Sequence, residues 1–181
     1  MRILALLGFL GIIGAIAALV FFFGGFYSVA GTQPDPKVVA WALTFVRNAS
    51  INKHAVETPP MSLDDPAVVQ AGARAFLTRG CANCHGGPGV DWAKFSEGLH
   101  PDPPDLKDIA NDLEARHIFW VVKNGINMTG MPSFGAIITD DKEIWAIAAF
   151  VKKLPTISEA DFKAWTASTP AAPAPTPAAS P

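Results

Sequence analysis

The stretch that most constrains this chain is Cys81-Ala82-Asn83-Cys84-His85. Two cysteines three positions apart, followed directly by a histidine, are the attachment signal of a c-type haem. In that chemistry each thiol adds to one vinyl group of the haem, and the histidine binds the iron as its proximal ligand. The 181 residues contain no other cysteine, so no disulfide framework competes for these two. The motif therefore predicts one covalently attached haem c and a fold that encloses it.

Two other interpretations of the chain are weaker. A thioredoxin-like dithiol has the same Cys-x-x-Cys spacing, but it needs a strand–turn–helix setting. The segments around Cys81 and Cys84 instead have the pattern of a helix, a loop and a helix. The formal net charge of −2 provides no basic surface, so we expect no nucleic-acid partner.

The N-terminal part, residues 1–30, is predicted to be a transmembrane anchor. An uncharged run extends from Ile3 to Tyr27, and as a helix it is longer than the roughly 30 Å core of a bilayer. Arg2 favours an N-terminus in the cytoplasm, which places the rest of the chain on the periplasmic or outer side of the cytoplasmic membrane. The alternative is a signal peptide cleaved after Ala30, although such peptides usually have apolar regions of only about 7–15 residues.

Residues 31–61 are predicted to form an amphipathic helix and a linker. Asp35-Pro36 has the pattern of an N-cap followed by the first helical residue. The apolar residues that follow are spaced three or four apart and form one stripe: Val38, Trp41, Ala42, Phe45, Val46 and Ala49. The pattern leaves open whether this stripe lies on lipid or against the next domain. From Ser50 to Met61 we expect an irregular linker.

Residues 62–157 are predicted to be a small all-α domain of three helices. The first begins at Asp65-Pro66 and ends near Arg79, the second covers residues 113–123, and the third runs from about Asp140 to Pro155. Gly72 has no side chain and lies one turn before Phe76, so another helix can approach closely beside the Phe76 ring. Because three helices enclose little apolar volume, we expect folding to depend on the haem. Residues 158–181 are predicted to be a short helix and then a disordered Ala/Pro-rich tail.

The residues offer two candidates for the sixth iron ligand. Met128 and Met131 both lie in a Gly-rich loop, where the backbone can bend towards a flat cofactor. Pro132 stiffens the chain directly after Met131, which favours Met131 and leaves Met128 as the fallback. The remaining histidines stand in no ligand motif, so ligation by two histidines is disfavoured: His54, His100 and His117. We therefore predict His85 and Met131 as the metal ligands.

Over about Ser62 to Pro155 the chain resembles class I cytochromes c. The shared features are a helix ending at the Cys-x-x-Cys-His motif, a Pro-rich stretch, and Met-Pro before a closing helix with an aromatic residue. Lys-Asn-Gly-Ile-x-Met-Thr-Gly-Met-Pro, residues 123–132, is similar to bacterial membrane-anchored monohaem cytochromes. The resemblance implies Met131 as axial ligand and a proline carbonyl that accepts a hydrogen bond from His85. Pro103 and Pro104 are the candidates for that carbonyl, and we prefer Pro104.

The resemblance also implies single-electron transfer between redox proteins at the outer face of the membrane. We expect an electron carrier, not an enzyme in its own right, whose partners are membrane oxidoreductases, other cytochromes and, through the anchor, lipid. The alternatives are a fixed cytochrome subunit of a larger oxidoreductase and, less favoured, a haem gas sensor or enzyme with a displaceable Met131. Trp92 and Asn127 are further candidates, as donors of hydrogen bonds to haem propionates or the Met131 sulfur, although packing and solvation explain them equally well.

Overall fold

The computed structural model describes residues 2–26 and 28–167, and the chain divides into two compact units, Met1–Gln33 and Pro34–Pro181. Within the described ranges the chain is helical and contains no β-strand, as the sequence predicts. The α-helices are α1 (Arg2–Phe23), α2 (Lys37–His54), α3 (Pro66–Thr78), α4 (Ala82–His85), α5 (Leu106–Ile109), α6 (Ala115–Asn124), α7 (Asp141–Lys153) and α8 (Glu159–Thr166). Short 3₁₀ turns cover Lys94–Gly98, Phe134–Ala136 and Leu154–Thr156.

The first unit consists of α1 and the residues that follow it. α1 has 22 residues, and none of them is buried. By length and composition alone it is long and apolar enough to cross a membrane. Tyr27, at the predicted outer interface, lies outside the described residues, as does the tail from Ser168 onward.

The start and the end of α2 both differ from the prediction. Pro36 is extended and occupies the N-cap position, so Asp35 lies one residue too early to be the cap. The helix also continues to His54 instead of ending before Ser50. No glycine or proline interrupts residues 50–54, and the His54 ring stacks on Trp120 of α6 with ring centroids 6.3 Å apart. This tertiary contact with α6 extends the helix beyond its apolar stripe.

The crossing of α3 and α7 forms the centre of the second unit. A Cβ atom at Gly72 would lie 1.9 Å from the carbonyl oxygen of Ala146, so the two backbones touch at this point. The predicted close approach of another helix at Gly72 is confirmed. One turn later Phe76 packs on Phe150 with ring centroids 5.1 Å apart, and Phe150 in turn stacks on Phe162 of α8 at 5.5 Å.

We expect Gly72→Ala to destabilise the protein by about 2–4 kcal/mol, because the new methyl group meets a backbone carbonyl that no side-chain rotation can move. Gly98→Ala is the matched control, since a Cβ atom there has no other atom within 4 Å. The control variant should remain within about 0.5 kcal/mol of the parent. Urea unfolding of the haem-loaded protein measures both. An equally small effect at the two positions would contradict the close helix contact.

α6 also packs against α7. Phe119 of α6 stacks on Trp145 of α7 with ring centroids 4.1 Å apart, and both side chains are buried. The Lys152 ammonium donates hydrogen bonds to the carbonyl oxygens of Ala110 and Leu113, each at 2.7 Å. These bonds fix the connection between α5 and α6 against the end of α7. The apolar core of the unit is therefore organised around α7.

The predicted starts of α3 and α7 agree with the structure, whereas α6 begins at Ala115, two residues later than predicted. Asp65 and Asp140 cap α3 and α7, and the Ser158 side chain caps α8. The predicted number of three helices was too low, because α4 and α5 are single turns of four residues. Such short helices have no apolar periodicity, so the pattern that reveals long helices cannot detect them.

Asp65→Ala should lower the free energy of unfolding by about 1 kcal/mol, because the carboxylate caps the start of α3. Its Oδ1 accepts a hydrogen bond of 2.8 Å from the backbone N–H of Ala67. Asp65→Asn keeps this acceptor and should retain most of the stability. Urea unfolding of both variants measures the difference. Equal losses in the two variants would show that the hydrogen bond from Ala67 is not what stabilises the start of α3.

Candidate functional site

The Cys81–His85 segment is a single helical turn placed directly after α3. Gly80 has a φ of 79°, a left-handed conformation that ends α3 and turns the chain into α4. The backbone N–H of His85 donates to the carbonyl oxygen of Cys81 at 3.0 Å, which closes the turn. Residues three and four apart on such a turn share one face. Cys81, Cys84 and His85 therefore all project from the same side of the chain.

The His85 ring is held by the loop that precedes α5. Its Nδ1 lies 2.9 Å from the carbonyl oxygen of Pro104. A carbonyl oxygen only accepts, so Nδ1 carries the proton and Nε2 keeps its lone pair. Burial lowers the pKa of His85, against opposing effects of the Pro104 carbonyl and the Asp105 charge. Burial therefore favours the neutral imidazole, which with a free Nε2 is the form that binds a metal.

The two thiols are unpaired and poorly suited to thiolate chemistry. Cys81 is buried and Cys84 half-buried, and neither forms a disulfide. Burial raises the pKa of Cys81 to about 12 and also raises the pKa of Cys84. A reactive dithiol or a thiolate metal site needs lowered thiol pKa values. Among the described residues no group of three or more Cys, His, Asp or Glu side chains is arranged to hold a metal ion.

The second half of the site is a tight loop between α6 and the turn at Phe134, which we call the methionine strap (residues 125–135). Its first residue, Gly125, has a φ of 70°. The Ile126 N–H donates to the Met131 carbonyl at 3.1 Å. The Thr129 hydroxyl donates to the Ile126 carbonyl at 2.8 Å and accepts from the Met131 N–H at 3.1 Å. The backbone around Met131 is thus fixed by bonds inside the strap.

Contacts with its surroundings hold the strap in place. A Cβ atom at Gly125 would lie 2.7 Å from the Ser133 nitrogen, so the two ends of the strap touch. The Ser133 hydroxyl donates to the Lys123 carbonyl at the end of α6 at 2.7 Å. A Cβ atom at Gly130 would lie 2.8 Å from the Leu99 side chain, so the loop before α5 packs against the strap. A larger side chain at Gly125 would meet backbone atoms and displace the strap, whereas one at Gly130 would meet only the flexible end of the Leu99 side chain.

The two methionines of the strap have different environments. Met131 is partly buried and packs against the apolar core cluster, to which Cys81 also belongs. Met128 is 84% exposed and has a φ of 59°, which leaves it on the rim of the strap. These positions favour Met131 over Met128 as the residue facing a buried cofactor. Its role as the iron ligand remains a prediction.

The other predicted hydrogen-bond donors, Trp92 and Asn127, and two of the other histidines have surroundings of their own. Trp92 is half-exposed, with its ring 3.6 Å from where a Cβ atom at Gly86 would lie, and Asn127 is exposed. Their roles towards haem propionates or sulfur remain predictions. His54 Nδ1 lies 2.8 Å from the Ser50 carbonyl oxygen, and His100 Nδ1 lies 3.6 Å from an oxygen of Asp102.

Sequence reasoning missed one residue that shapes the site. Thr129 links the backbone of Ile126 to that of Met131 through its hydroxyl. The available signal was a threonine two positions before a candidate ligand, since such hydroxyls commonly bond to nearby backbone groups. Thr129 is therefore a positioning residue for Met131.

The residues present fit a covalently bound haem. Two protonated thiols and a neutral imidazole project from one turn, and the imidazole keeps its lone pair on Nε2 because Nδ1 is bonded to Pro104. A soft thioether is available at Met131, whose backbone is fixed by the strap. Ligation by imidazole and thioether is the arrangement that raises the potential of electron-transfer haems.

Comparison with known proteins gives one match to this region. Residues 67–151 match the family model described as "Cytochrome C oxidase, cbb3-type, subunit III". The matched range contains the Cys81–His85 turn, Pro104 and Met131. No curated protein and no solved structure matches the chain.

Proposed function

Because residues 67–151 form a class I c-type cytochrome domain, which implies a covalently bound haem c, we propose that the chain is a membrane-anchored monohaem carrier of single electrons. The observation that carries this proposal is the hydrogen bond between His85 and Pro104, which leaves Nε2 free as an iron ligand. In this proposal the carrier exchanges electrons with redox proteins at the outer face of the cytoplasmic membrane. Electron transfer is the general activity that the domain supports.

In this proposal the chain's own residues attach, orient and shield the cofactor. The haem supplies the one-electron redox couple. Cys81 and Cys84 provide the two thioether links, and the Pro104 carbonyl keeps His85 in the tautomer that presents Nε2. Thr129 fixes the backbone at Met131, from which the thioether sulfur would be offered to the iron. A ligand whose backbone is held in place would keep the reorganisation energy of electron transfer low.

The proposed anchor is α1, within residues 1–30. Support comes from its 22 residues, which carry no charge after Arg2 and are long enough to cross a bilayer core. Residues 31–61 then connect to the haem domain, 62–157, and residues 158–181 extend beyond it. The orientation follows from Arg2 and from haem attachment outside the cytoplasm.

A second candidate function is a fixed cytochrome subunit of a membrane oxidoreductase. The observation that favours it is the description of the matched family, which is a subunit of an oxidase. In that case the donor and acceptor sites belong to neighbouring subunits in one complex. Residues 67–151 would bind the haem in the same way in a free carrier and in a fixed subunit, so the matched region does not distinguish the two functions.

One experiment tests the function and separates the two candidates. The full chain is produced in its natural membrane, extracted in a mild detergent and separated under native conditions, with detection of haem. We expect a haem protein that needs detergent for release and titrates as a single one-electron couple. Migration alone supports the free carrier, and co-migration with other subunits supports the oxidoreductase. Release of the haem protein by salt or alkaline washing would contradict the proposed anchor.

A further inference from the structure

The first half of α2 exposes an apolar face that the second unit does not cover. Five large apolar side chains within nine residues are exposed: Val38, Trp41, Leu43, Phe45 and Val46. Trp41 and Phe45 remain 67% and 64% exposed, and their rings stack on each other with centroids 6.1 Å apart. Contiguous apolar patches of this kind on a surface are typical of interaction sites.

The structure also shows which side of α2 faces the protein. The second half of the helix contacts α6, where the His54 ring stacks on Trp120, and Ile51 on the same side of α2 is half-buried. At about 100° per residue, Ile51 and His54 lie on the opposite side of the helix axis from Val38 and Phe45. The apolar stripe therefore faces away from α6.

We propose that the stripe of α2, defined as Val38, Trp41, Phe45 and Val46, is a second membrane contact that lies in the lipid interface. An amphipathic helix with aromatic residues on one face and basic residues elsewhere is typical of interfacial helices. Between Lys37 and His54 the chain has three Lys or Arg residues and no Asp or Glu, a formal charge of +3. That charge complements anionic lipid headgroups.

The length of chain between the proposed anchor and α2 also supports lipid as the partner of the stripe. Residues 24–36 connect α1 to α2, and even fully extended they reach no more than about 45 Å. If α1 spans the bilayer, this length keeps the start of α2 within about 45 Å of the bilayer surface, within reach of the lipid headgroups. A tryptophan near the start of such a helix suits the interface, where Trp and Tyr side chains concentrate. The inference thus rests on the proposed anchor and adds a second contact that limits how the haem domain tilts.

The test uses the full haem-loaded chain in nanodiscs of phosphatidylcholine and phosphatidylglycerol. In that protein Cys81 and Cys84 are in thioether bonds, so a new cysteine is the only free thiol and takes a spin label. Val46→Cys places the label on the stripe. Ala40→Cys is the matched control, because Ala40 is also exposed but lies about 100° or more around the helix from every residue of the stripe. Accessibility to oxygen reports lipid, and accessibility to a water-soluble nickel chelate reports solvent.

We expect the label at position 46 to be several-fold more accessible to oxygen than the label at position 40, and several-fold less accessible to the nickel chelate. Equal accessibility at both positions, with the haem protein still in the nanodisc, would overturn the membrane contact and leave the anchor standing. Shielding of position 46 from both reagents would overturn it in favour of a protein partner on the stripe. Loss of the haem protein from the nanodisc fraction would overturn the anchor and this inference together.

Discussion

The double variant Cys81→Ala/Cys84→Ala is expected to be largely unfolded when it is isolated without haem. The domain has one principal core helix, α7, and leaves large apolar side chains such as Ile137 uncovered at 62% exposure. A bound cofactor adds apolar contact area and stabilises the folded state by its binding free energy. Far-UV circular dichroism with thermal unfolding measures the loss of helix against the haem-loaded parent.

Addition of free haem to the double variant is the control. His85 and Met131 remain available, so added haem should restore much of the helical signal even without thioether bonds. That recovery would show that the cofactor's mass and ligands matter more than the two thiol groups. A cooperative, native-like thermal transition in the haem-free variant would contradict the expectation.

Replacing Met131 with histidine is expected to lower the midpoint potential of the haem by on the order of 0.1–0.3 V, part of the roughly 0.8 V range that axial ligands set. A thioether stabilises the reduced iron relative to an imidazole, which is the stronger electron donor. Thr129 and the strap hold the backbone at position 131, so the new side chain should start from the same position. A spectroscopic redox titration of the haem-loaded protein measures the shift.

Met128→His is the matched control for this experiment. The residue lies in the same strap three positions earlier, but its side chain is 84% exposed. We expect its midpoint potential to stay close to that of the parent. A shift with Met128→His and none with Met131→His would transfer the ligand role to Met128.

The helices of the haem domain could largely be predicted from the sequence, because their signals are local. Asp65-Pro66 and Asp140 mark the starts of the helices that they were expected to begin, and Gly72 marks the helix crossing. The predicted helix boundaries were wrong where tertiary contacts determine the end of a helix. α2 continues to His54 because that residue packs on Trp120, a contact that no local pattern contains.

The candidate site was predictable in its chemistry and less so in its geometry. The Cys81–His85 motif specifies its own cofactor through residue types and spacing. The choice between Pro103 and Pro104 depends on how the loop before α5 folds, and only the structure places the Pro104 carbonyl 2.9 Å from His85 Nδ1. In the same way, the exposure of Met128 and the packing of Met131 arise from the internal bonds of the strap, which sequence spacing does not specify.

Intact-mass spectrometry of the full chain, made in a host that attaches c-type haem, tests the central claim most directly. The account predicts a mass equal to the chain plus one haem that survives denaturation, and no such addition in the Cys81→Ala/Cys84→Ala variant. A parent protein that carries only the mass of its polypeptide under these conditions would contradict it.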